Sequence, residues 1–141
     1  MLVNQVAVFL ENKQGRISDF CKALSSAGIN LITMSIADTT DFGILRAITD
    51  DNDKAIKVLK DAGFTVSSTD LLGIEVEDKP GGLADVLSTM DNAGINIEYL
   101  YSFVKKDGKA MILFKVANID ETIEICKNKQ LKIIDTGISI K

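Results

Sequence analysis

The sequence predicts an α+β chain made of two copies of one βαββαβ module. Three observations carry that reading. A loop motif occurs twice: Glu77-Asp78-Lys79-Pro80-Gly81-Gly82-Leu83, then Ala93-Gly94-Ile95-Asn96-Ile97, repeats Glu11-Asn12-Lys13-Gln14-Gly15-Arg16-Ile17, then Ala27-Gly28-Ile29-Asn30-Leu31. Gly15 to Gly81 and Asn30 to Asn96 are both 66 residues, and the repeat spans nearly all of the 141-residue chain. Within each copy the hydrophobic pattern runs strand, helix, strand, strand, helix, strand. Four short strands with two helices on one face form a ferredoxin-like sandwich, its topology set by right-handed crossovers. The expected modules are residues 1–69 and 70–141, with the junction near Thr69-Asp70 and no flexible linker.

The first strand is Leu2 to Leu10, where Val6, Val8 and Leu10 alternate; its counterpart is Leu71 to Val76. In the helix that follows, Ile17, Phe20, Cys21, Leu24 and Ala27 fall on one stripe, matched by Leu83, Val86, Leu87, Met90 and Ala93. Gly28 and Gly94 stand where a left-handed cap ends a helix, and Ile29 and Ile95 could close that cap. Second strands are expected at Leu31 to Ala37 and Ile97 to Val104, third strands at Gly43 to Thr49 and Ala110 to Ala117. Lys106-Asp107-Gly108 signals a hairpin; the first copy turns through Asp38-Thr39-Thr40-Asp41. The second helices are expected to start near Asp53 and Asp120, each suited to N-capping. They bury Ala55, Ile56, Leu59 and Ala62, and Ile119, Ile123 and Cys126. The last strands are Phe64 to Ser68 and Leu131 to Ile140.

Composition narrows the function. The net charge is −4 and evenly spread: residues 1–69 carry 7 basic and 8 acidic side chains, residues 70–141 carry 9 and 12. With no basic block, neither nucleic acid nor an anionic membrane is expected as the main partner. No apolar run is long enough for a membrane span, and the chain opens on a strand pattern without a signal peptide. A cytoplasmic protein is expected. A module of about 70 residues supplies only a marginal core, so the modules are expected to pack together or dimerise. Cys21 and Cys126 align with Leu87 and Leu59, and read as small core residues.

Catalytic chemistry is not in view. The chain has no histidine, which removes Ser-His and Cys-His pairs and histidine metal sites. Two separate cysteines make no zinc site, and no phosphate or dinucleotide motif occurs. No catalytic group, metal or cofactor is expected. The repeated loop remains. Pro80 suits a helix start, and Gly81 and Gly82 allow the backbone to approach a ligand closely. The N–H groups that follow could hold a carboxylate, and Asp78 could accept from an ammonium group. An α-amino acid carries both charges. In the first copy Asn12 stands in place of Asp78, and Asn30 and Asn96 are expected at the sheet end near the loop. A second reading is that Asn12, Asp78, Asn30 and Asn96 bond only local backbone.

These residues resemble the signature of the ACT domain, a family of small βαββαβ regulatory modules that bind amino acids. The second copy matches well; the first departs at Gln14, which replaces the proline. The resemblance covers essentially the whole chain. It implies ligands held between modules paired side by side, touching the first loop and the start of the second strand. Carried over, the implied contacts are Asn12, Gly15, Arg16, Ile17, Asn30 and Leu31 in the first copy. In the second they are Asp78, Gly81, Gly82, Leu83, Asn96 and Ile97. The pair Asn12 and Asn30 is similar to the contacts of serine-responsive ACT domains; Asp78-Lys79-Pro80-Gly81 is similar to the aspartokinase type. The implied protein is a homodimeric, non-catalytic amino-acid sensor. Its alternative is a regulatory subunit that docks on an amino-acid biosynthetic enzyme.

Overall fold

A computed structural model describes residues 2–38 and 41–134. The chain divides into two compact units, one from residues 4–69, the other from residues 70–134 together with Leu2 and Val3. The first is built from β1 (Leu2–Glu11), α1 (Arg16–Ser26), β2 (Leu31–Asp38), β3 (Phe42–Thr49), α2 (Asn52–Asp61) and the start of β4 (Thr65–Glu77). The second continues with the rest of β4, then α3 (Gly82–Asn92), β5 (Ile97–Lys106), β6 (Lys109–Val116) and α4 (Ile119–Asn128). The two strands expected on either side of Thr69-Asp70 are one 13-residue strand, because no glycine or proline between Thr65 and Gly73 interrupts them.

In the first unit β3 lies antiparallel between β1 and β2, with Phe9 opposite Ile44 and Ile36 opposite Leu45; β4 flanks β1. The core joins Val6, Val8, Leu10 and Leu45 to Phe20, Leu24, Ala55 and Leu59 from the helices. In the second unit β6 lies antiparallel between β4 and β5. Its core joins Ile74, Val76, Ile112 and Phe114 to Val86, Met90, Ile123 and Cys126. The strand expected over Leu131 to Ile140 is described only at its start, where Ile133 bridges Ile74 and Ile134 N–H donates to Gly73; residues 135–140 lie outside the described residues, as do Thr39 and Thr40 of the first turn.

Three local expectations change. Ala62, expected on the buried stripe of α2, is exposed, because it is the C-cap residue beyond the last helical turn. The N-caps of α2 and α4 are Asp51 and Asn118, not Asp53 and Asp120, which sit inside the first turn. Asp51 accepts from Lys54 N–H, the geometry that a cap requires. Ile17, expected on the buried stripe of α1, is 45% exposed, because it lies on the first turn beside the outer strand β2, where the sheet no longer covers it.

Candidate ligand-binding site

Gly15 and Gly81 each precede a helix in a left-handed conformation, with φ of 91° and 88°. Only glycine adopts it freely. Neither α1 nor α3 has a side-chain cap; the first N–H of each, Arg16 and Gly82, donates back to the Lys13 and Lys79 carbonyls at 3.3 and 3.0 Å, and the positive end of the helix dipole lies behind the loop. Gly82 answers a second constraint: a Cβ there would lie 2.1 Å from the carbonyl oxygen of Glu77.

The first loop opens onto a hollow of about 50 Å³, lined by Asn12, Lys13 and Ile17 from the loop side and by Leu10, Ile36 and Gly43 from the sheet. Asn12 N–H donates to Asp41 C=O at 2.9 Å, which ties the loop to the β2–β3 turn. Ile17 and Ile36 are 45% and 39% exposed, an apolar wall with its outer side open. Such a hollow is several times smaller than a complete ligand pocket. Arg16 does not line it: its guanidinium lies 4.5 Å from the Phe64 ring centroid and meets Asp19 at 3.3 Å. Glu11, beside the hollow, has its carboxyl held below the usual range by a hydrogen bond from Lys13 and that residue's charge.

Asn30 and Leu31 stand elsewhere. β1 and β2 both pair antiparallel with β3, so they run in the same direction, and β2 starts at the end of the sheet away from the loop. Leu31 pairs with Thr49 whereas Glu11 pairs with Phe42, so the two ends are about 23 Å apart at strand rise. The expectation that Asn30 and Asn96 sit near the loop is corrected: the helix between the strands carries the chain back before the next strand begins. Asn30 N–H donates to the Asp50 carboxylate at 2.9 Å. Asn30 and Leu31 instead line a second, wider groove of about 400 Å³ with Cys21, Ser25 and Gly28. Both openings flank the same pair of elements, α1 and β2.

The second unit differs. Asp78 N–H donates to Gly108 C=O at 2.9 Å, matching Asn12, but its carboxylate meets Lys105 Nζ at 3.3 Å. Gly82 is buried and Leu83 half-buried. Asn96 and Ile97 begin β5 at the far end of the sheet, as Asn30 and Leu31 begin β2. No group of His, Cys, Asp and Glu able to hold a metal occurs among the described residues. Cys21 is half-buried and Cys126 buried, where desolvation pushes the thiol pKa up. No helix among the described residues is long and apolar enough to cross a membrane.

The family model of the ACT domain pair matches residues 1–139, and the chain belongs to that family of regulatory modules. It is similar to a protein of Bacteroides thetaiotaomicron, at 42% identity and a TM-score of 0.88, over 95% of this chain and 92% of that one. The fold alone is shared with the aspartate kinase regulatory subunit of Thermus flavus, at 14% identity and a TM-score of 0.65, over 91% and 90% of the two chains. The same holds for its Thermus thermophilus counterpart, at 12% identity and a TM-score of 0.64, over 90% and 93%. No curated protein matches the chain.

Proposed function

We propose that this protein is a non-catalytic, cytoplasmic amino-acid sensor that works as a homodimer. The observation that carries the reading is the split site of the first module. Asn12 and the N-terminus of α1 lie at one end of β2, and Asn30 and Leu31 at the other. Antiparallel pairing of two copies along this edge brings the loop end of one beside the strand start of the next. The ligand carboxylate then meets the N-terminus of α1. Asn12 of one copy and Asn30 of its neighbour, each able to donate and accept, take the remaining polar contacts. Ile17 and Ile36 supply an apolar side.

A ligand held this way binds the paired arrangement more tightly than any other, and shifts the population toward it. The first module is favoured over the second because Asp78 is engaged by Lys105 and would repel a carboxylate. A thermal-shift panel of the twenty amino acids tests the reading. A ligand at 100 times its dissociation constant adds about 2.7 kcal/mol of stability. No shift with any of them counts against it. A second reading is docking on a biosynthetic enzyme, with or without a ligand. It is favoured by the fold shared with proteins named as regulatory subunits of aspartate kinase. Co-purification of an untagged enzyme with the tagged chain separates the two.

A further inference from the structure

The two modules fill one place differently. In the first module the turn after α1 and the start of α2 are joined by two charged side chains. Asp50 carboxylate accepts from Asn30 N–H at 2.9 Å, and Lys54 Nζ donates to the Ala27 carbonyl at 2.8 Å. Asp51 caps the helix below them. The N-caps Asp51 and Asn118 align the modules here, so Ala117 replaces Asp50 and Glu121 replaces Lys54. The carboxylate is gone and the ammonium has become a carboxylate.

What stands there instead is a cleft of about 210 Å³, bounded by Ala93 and Asn96 on one side and Ala117, Asn118, Glu121 and Ile125 on the other. Its volume is that of about seven waters at roughly 30 Å³ each, enough for a small amino acid. Asn118 makes no capping bond to the helix; its Nδ2 donates to Glu121 Oε2 at 2.8 Å, which holds that carboxylate at the rim.

The geometry points to a second ligand site in the second module, apart from the loop hollow: this cleft takes a small aliphatic α-amino acid. Its carboxylate replaces that of Asp50, and accepts from Asn96 N–H and the uncapped first N–H groups of α4. Its ammonium replaces that of Lys54, and donates to the Ala93 carbonyl and the Glu121 carboxylate. Its side chain lies against Ile95, Val116 and Ile125. The first module closes the same place with its own Asp50 and Lys54, so one site per chain is expected.

Amide NMR titration of the full-length chain with L-valine tests this, with isobutylamine and 2-hydroxy-3-methylbutanoate as probes lacking the carboxylate and the ammonium. Valine should shift the amides of Asn96 and of residues 117–121 saturably, and each half-probe should bind about tenfold or more weakly. The double variant Ala117→Asp with Glu121→Lys copies the first module's pair and should abolish these shifts; Glu121→Lys alone should weaken them. Unmoved amides at this cleft, or an unaltered titration in Glu121→Lys, overturn the site. Shifts confined to residues 12–17 and 30–31 also overturn it while leaving the loop site standing, and loss of the loop shifts alone leaves this site standing.

Discussion

Gly82 shows how much of the second loop depends on one absent side chain. A Cβ would meet the Glu77 carbonyl at 2.1 Å, a contact that backbone alone can relieve. Gly82→Ala is expected to destabilise the chain by ~2 kcal/mol or more in urea denaturation. The cysteines separate by burial. Cys126 is fully buried with its thiol pKa pushed up, so it should alkylate far more slowly than half-buried Cys21, as read by mass spectrometry of the native protein. Protonation acts at the loops. The hydrogen bond and charge of Lys109 hold the Glu77 carboxyl below its usual 4.5, and Lys13 does the same for Glu11. With the folded value depressed, the unfolded chain binds the proton first. Their stabilisation is complete above about pH 4.5 and is lost as pH falls through the folded values. Both groups are solvent-exposed, so the effect is small. Thermal melts from pH 6 to pH 3 should show a smaller acid loss in the double variant Glu11→Gln with Glu77→Gln than in the parent.

The helices share one ending, and it was largely legible in the residues. After α1, the N–H of Gly28 returns to Ser25 and that of Ile29 to Leu24; the same pair of bonds closes α2, α3 and α4. Gly28 and Gly94 announce it, since only glycine enters the left-handed region freely. At the end of α4 the position is Gln130, with φ of 61°, and no sequence signal marks it. Gln130→Gly is expected to stabilise the protein by about 1 kcal/mol in chemical denaturation; a loss would contradict the cap. The starts of α2 and α4 were harder to read. Asp50, Asp51 and Asp53 cluster around the start of α2, and any of them could cap by residue type; only backbone geometry selects Asp51. The candidate loop residues stand out in the repeat, but their layout does not. The loop motif pointed to Asn12 and Ile17, and both line the hollow. It also drew Asn30 to the same end, because nearness in the motif hides the helix that carries the chain about 23 Å away. The cleft beside Ala117 gave no signal, since it is defined by what the first copy has there and the second lacks.

At the scale of the whole molecule, the pattern is duplication with divergence. Both units keep the strand order, the left-handed loop glycine and the helix endings, which the fold requires. They differ in the polar residues around the openings, which the fold leaves free to vary. Asn12 against Asp78, and Asp50 with Lys54 against Ala117 with Glu121, are such differences. The central claim is that one ligand is shared between two copies, and mixing variants tests it most directly. Asn12→Ala and Asn30→Ala should each abolish binding of the amino acid found by the panel. Unfolded and refolded together in equal amounts, they form about half mixed dimers, each with one intact site, so calorimetry should recover about a quarter of the parent's sites. No recovery from the mixture, or full binding by either variant alone, would contradict a shared site.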